Sequence, residues 1–119
     1  MSGGCLLVGA LALTASHGFA LEWTHSVQRT SWREQWRVAD SALVLESAAV
    51  RSSGAGMEPG DGAVLRGGWW VWPVGRPVPE VVLAASGTTG AGWRLCVDAG
   101  CVSLGATAGA PVHLAPCAQ

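Results

Sequence analysis

The chain has 119 residues, 50% of them hydrophobic and 13% charged, with a formal net charge of −1. That length accommodates one domain, and the apolar content excludes a disordered acidic or basic tail. The charge excludes nucleic acid as the main partner, because phosphate binding needs a surplus of cations. All 7 basic residues are arginine, which removes Schiff-base lysine chemistry, and 7 Trp supply nearly all the aromatic character.

The first feature is an uncharged apolar run of 11 residues from Cys5 to Ala15. It fits the core of a signal peptide and falls short of the ~20 residues a membrane-spanning helix needs. The preceding Met-Ser-Gly-Gly carries no Lys or Arg. Residues 1–18 therefore read as a signal-like or anchor segment. Export places the domain in the periplasm or elsewhere outside the cytoplasm, with membrane contact through the segment if it stays uncleaved. Small residues at Gly18 and Ala20 allow cleavage after Ala20, but that clips a strand; cleavage after Ala15, or none, keeps it whole. Cys5 stands at the start of the apolar run instead of following it, and is not a lipoprotein cysteine.

From Phe19 onward the pattern is that of short strands separated by Gly, Pro, Asp and Ser. Phe19, Leu21, Trp23, His25 and Val27 alternate with Ala20, Glu22, Thr24 and Ser26, predicting a strand over 19–27. A second strand is predicted from Ser31 to Ala39, with Trp32, Glu34, Trp36 and Val38 on one face and Arg33, Gln35 and Arg37 on the other. A third covers Ala42 to Arg51. A Gly-rich loop over 52–62 leads to short strands at 63–66 and 69–72, then a Pro-rich connector at 73–79. Strands at 81–85, 93–97 and 101–104 follow. About seven or eight strands at this spacing predict an all-β fold, a small antiparallel sandwich or partly open barrel over 19–104. Residues 105–119, rich in Ala, Gly and Pro, read as a flexible tail.

Cys96 and Cys101 flank a Val-Asp-Ala-Gly turn, which brings them within disulfide range on facing strands. No second C-x-x-C and no His partner make a zinc site of them, and a redox couple normally has two intervening residues at a helix start. Cys117 is left unpaired if Cys5 is removed with the leader.

Among groups that could carry chemistry, His25 and Ser26 are neighbours on a strand and point to opposite faces, so they are no catalytic dyad. Glu34 shares its face with Trp32 and Trp36, where a carboxylate needs a partner or solvent. A hairpin about Gln28 to Thr30 sets His25 and Glu34 near each other, a pair able to move a proton or hold an ion. The Gly54-Ala55-Gly56-Met57-Glu58 loop lacks the third glycine and the helix of a dinucleotide fingerprint. It reads as a sharp turn, or as a binding loop presenting Glu58. In Trp69-Trp70-Val71-Trp72, an exposed Trp70 and Trp72 pair would stack on a ligand or anchor a partner; the alternative has both faces covered.

The segments Leu21-Glu22-Trp23-Thr24-His25-Ser26-Val27, Trp32-Arg33-Glu34-Gln35-Trp36-Arg37-Val38, Gly54-Ala55-Gly56-Met57-Glu58 and Gly68-Trp69, in this order, resemble the bacterial family called domain of unknown function 1850, over residues 19 to 104. The family has no established activity. Its members are small proteins with an apolar N-terminal segment, often encoded beside TRAP-type transporters of the TAXI class. The resemblance implies a non-enzymatic accessory of such a transporter, touching its membrane or solute-binding component. The positions it carries over are His25, Ser26, Glu34, Gly54, Gly56, Met57 and Glu58. The alternative is a small-molecule or metal-ion binding domain built from His25, Glu34 and the Gly54–Glu58 loop. An enzyme is not expected, since no nucleophile–base pair stands at a plausible spacing, and no cofactor is implied.

Overall fold

Alternating apolar and polar residues interrupted by Gly and Pro favour strands over helices. The computed structural model describes residues 4–25, 30–51, 61–85, 92–105 and 108–117. Among them every regular element is a strand: β1 Cys5–Val8, β2 Leu11–Thr14, β3 Phe19–His25, β4 Thr30–Val38, β5 Leu43–Arg51, β6 Val64–Arg66, β7 Trp69–Val78, β8 Val81–Leu83, β9 Trp93–Val97, β10 Gly100–Leu104 and β11 Val112–Pro116. They form a smaller sheet in the order β2-β1-β11-β8 and a larger one in the order β10-β9-β3-β4-β5-β7-β6. All neighbours run antiparallel. The two sheets pack face to face as a sandwich, with no barrel closure.

The core lies between the sheets. Leu6, Val8, Leu83 and Leu114 from the smaller sheet meet Phe19, Leu21, Trp36, Val38, Leu43 and Leu95 from the larger. Removing one such large side chain from water stabilises the fold by about 1.5–3 kcal/mol. Phe19 and Trp36 face each other across β3 and β4 and stack with ring centres 5.9 Å apart. Gly18 makes this approach possible. Its φ of 84° is left-handed, and a Cβ there would collide with the carbonyl oxygen of Trp36.

Three segments differ from the sequence expectation. Residues 5–14, read as a leader, form β1 and β2, a hairpin turning at Gly9, whose φ is 60°. Alternation explains it: Leu6 and Val8 face the core, and Leu13 packs beside them. A cleaved leader and this sheet exclude each other.

The expected flexible tail supplies β11, which lies between β1 and β8. Leu114 is fully buried there and Val112 packs against the same core, and these apolar anchors outweigh the Ala/Gly/Pro-rich composition around them. The Pro-rich connector belongs to β7. Beyond Val71 that strand has no β6 partner, so Pro73 and Pro77 sit on an edge, where a missing N–H is tolerated.

Two disulfides cross-link neighbouring strands, one in each sheet. Cys96 and Cys101 pair directly across β9 and β10, as expected. Cys5 and Cys117 form the second, so Cys117 is not left over. Its N–H also donates to the carbonyl of Cys5 at 3.1 Å. The longer cross-link joins residues 112 positions apart. Loop-closure entropy makes it worth about 5 kcal/mol, against about 2 kcal/mol for the short one. Two such bonds suggest an oxidising, extracytoplasmic environment.

Candidate functional site

Strand register places Glu34 opposite Leu21 on β3 and opposite Ala48 on β5, on the core-facing side of the larger sheet. Its neighbours along β4 on that side are Trp32 and Trp36. The carboxyl is half-buried, and Trp36 donates its indole N–H to Oε1 of Glu34 at 3.0 Å. Burial pushes the Glu34 carboxyl above its ordinary value of 4.5, and the Trp36 bond opposes part of that rise. Among the described residues no ion pair to Glu34 offsets the cost of burying its charge.

Glu34 lines an open cleft of about 400 Å³ between the sheets. Trp23, Trp36 and Leu45 share its larger-sheet side, and Val81 and Leu83 of β8 face them. Trp93 stands on one flank, with Arg76 and Val78 on the other. Trp93 is fixed as a wall because its indole N–H donates to the carbonyl of Ala84 at 3.1 Å. Glu80, also lining the cleft, pairs with Nδ1 of His113 at 3.2 Å. Indole surfaces around a few polar groups are the usual make-up of a small-molecule site.

The tryptophans continue as a row across the sheet. Ring centres lie 4.8 Å apart for Trp93 and Trp23, 6.1 Å for Trp23 and Trp32, and 6.4 Å for Trp32 and Trp72. Ala48, opposite Trp72 on the intervening strand, is small enough to let the last two meet. Trp72 is therefore half-buried against Trp32, while Trp70 is 36% exposed. The expected surface pair is split, and Trp70 is its solvent-facing member.

His25 does not join Glu34. In the β3–β4 hairpin it pairs with Thr30, four residues along from Leu21, which pairs with Glu34. At about 3.4 Å per residue, roughly 14 Å separates the two positions along the strands. A direct His25–Glu34 pairing needs a register four residues away from the one these strands adopt. The side chain of His25 and all of Ser26, Gly54, Gly56, Met57 and Glu58 lie outside the described residues. No cluster of three or more His, Cys, Asp or Glu among the described residues could hold a metal ion.

Sequence reasoning missed Trp23, Trp93 and Arg76 as cleft residues. Trp23 was legible as a member of the Phe19–Leu21 face. Trp93 and Arg76 reach the cleft only through long-range pairing of β9 with β3 and of β7 with β5, which no local pattern specifies.

The opposite face of the larger sheet is polar. Arg33 donates through Nε to Glu22 at 3.1 Å, and Arg94 reaches the other oxygen of Glu22 at 3.5 Å. The Arg33 guanidinium also lies 4.3 Å from the centre of the Trp69 ring. At the sheet's end, the backbone N–H of Ser16 donates to Asp98 at 3.1 Å. Hydrogen bonds from the side chain and backbone of Ser16 hold the Asp98 carboxyl below its ordinary range. That contact ties the β2–β3 corner to the β9–β10 turn.

Comparisons with curated proteins and with solved structures find no match. The family described as domain of unknown function (DUF1850) matches residues 19–104, from the first residue of β3 to the last of β10. The strands that carry Glu34 and the tryptophan row all fall inside that span, and the chain belongs to this family.

Proposed function

We propose that the protein is a non-catalytic extracytoplasmic domain that binds a small organic molecule in the cleft over Glu34. One observation carries this reading. Glu34 is a half-buried carboxyl with Oε1 bonded to Trp36, and among the described residues no hydrogen bond engages Oε2. The residue lines a cleft walled by indoles. A ligand with a flat apolar body and a hydrogen-bond donor satisfies both features, the body against Trp23 and Trp93 and the donor at Oε2.

The test is a screen of small aromatic fragments, with and without amine or amide donors, read at the indole N–H resonance of Trp36. Donor-bearing fragments shift it saturably, and Glu34→Gln weakens them at least tenfold. A screen in which no fragment moves Trp36 contradicts the reading.

A second reading is an accessory role beside a TAXI-type TRAP transporter, which the family resemblance implies. The observation favouring a protein contact is the cross-strand pair Leu65 and Trp70 at the β6 edge, 57% and 36% exposed. Apolar edge pairs of this kind suit a partner surface. Co-purification of a transporter subunit that is lost with Trp70→Ser and Leu65→Ser supports it; unchanged co-purification removes that surface from the account.

A further inference from the structure

The outer face of the larger sheet holds a second concavity, separate from the cleft over Glu34 and independent of its reading. It is a trough of about 240 Å³ along β5. Its shape follows from side-chain length. Ser47 and Ala49 on β5 are short, while β4 raises Arg33 and Gln35 on one side, and β7 raises Trp69 on the other with Arg66 of β6 beyond it.

Among the described residues the charge in this trough is unbalanced. Glu22 is the acidic partner of Arg33, and it is shared with Arg94. Arg66, directly opposite Trp69 across the β6–β7 ladder, makes no ion pair with any described residue. A concavity with surplus guanidinium charge therefore sits on a chain whose formal net charge is −1. Arg33 is also held in place. Its Nε is engaged by Glu22 and its plane is supported by the Trp69 ring, so little side-chain entropy is lost when its remaining donors take a ligand.

We infer that this trough binds a small organic carboxylate, bridged by Arg33 and Arg66 with its apolar body against Trp69 and Val71. A guanidinium donates two parallel N–H groups to a carboxylate, which gives the site its preference for that group. The indole edge and Val71 favour an anion with a body over a bare inorganic ion. Gln35 and Ser47 add polar contacts along the trough.

The experiment titrates the full chain with benzoate, its neutral isostere benzamide, and inorganic phosphate, reading the indole N–H of Trp69. Benzoate is expected to shift that resonance saturably, with affinity falling as salt rises. Benzamide and phosphate are expected to bind at least tenfold more weakly. Arg66→Gln weakens benzoate at least tenfold, Arg66→Lys less, and Arg37→Gln leaves it unchanged. Arg37 is the control because it lies on the same strand and is paired with Glu46 at 3.4 Å. Arg66 is exposed on a short edge strand, and the other indole resonances report whether each variant is folded. Equal binding of benzamide, equal binding of phosphate, unchanged benzoate affinity in folded Arg66→Gln, or no saturable shift would each overturn the inference.

Discussion

Trp36 donates its indole N–H to Glu34 two residues earlier on the same strand, at 3.0 Å. The i, i+2 spacing on a strand puts both on one face, so a core aromatic also orients the one half-buried carboxyl described on that face. Trp36 is held in turn by its stack on Phe19. The orientation of Glu34 is thus set by the core.

That arrangement has a pH signature. The Glu34 pKa is raised in the folded chain, so the folded state binds its proton more tightly than the unfolded state does. Its stabilising contribution is present in full below the ordinary value and is lost as pH rises through the raised value. Glu34→Gln keeps an acceptor for Trp36 and removes the titration. Chemical denaturation is expected to show the wild type gaining stability relative to this variant as pH falls from 7 toward 4.5. The lowered Asp98 acts in the opposite sense and only below its ordinary value of 3.8, outside that window. Parallel pH profiles for the two proteins would contradict the account of Glu34.

The Cys5–Cys117 bond predicts that residues 5–14 stay in the mature protein. Intact mass of the isolated protein is expected to retain them and to show the loss of four hydrogens for two disulfides. Cys5→Ser should lower stability by about 3–5 kcal/mol, and Cys101→Ser by about 2 kcal/mol, by the loop-length argument. A mature chain beginning after Ala15 or Ala20 would contradict the smaller sheet as described.

Leu114 tests the same sheet from its other end. It is fully buried and pairs with Val8 and Val81 on the two neighbouring strands. Leu114→Ala is expected to cost about 2–5 kcal/mol in denaturant unfolding. A change below about 0.5 kcal/mol, the ordinary surface value, would show that the segment is not core.

Gly18→Ala forces a side chain into a left-handed position against the Trp36 carbonyl. The conformational strain alone costs about 1–3 kcal/mol, and the collision adds to it. A lowered Tm is expected, together with a shifted Trp36 indole resonance. An unchanged Tm would contradict the close approach of the β2–β3 corner to β4.

The strands from β3 to β5, and the short Cys96–Cys101 bridge, were legible because their signals are local: period-two alternation, turn residues and a hairpin spacing. Glu34 stood out as the polar residue on an apolar face. Residues 5–14 were not legible as strands, because an uncharged apolar run of that length carries the same composition as a signal-peptide core. β11 was hidden by Ala, Gly and Pro around Val112 and Leu114. The proximity of His25 to Glu34 was misjudged because register depends on where the hairpin turns, and a shift of a few residues moves a cross-strand neighbour by more than 10 Å.

The central claim is that the cleft over Glu34 holds a small organic molecule. Native mass spectrometry of the full chain, isolated gently from cells, tests it most directly beside Glu34→Gln and Trp93→Ala prepared the same way. The account predicts a one-to-one small-molecule adduct on the wild type, depleted in both variants while both disulfides remain intact. A wild-type chain without an adduct, or an adduct retained equally by both variants, would contradict it.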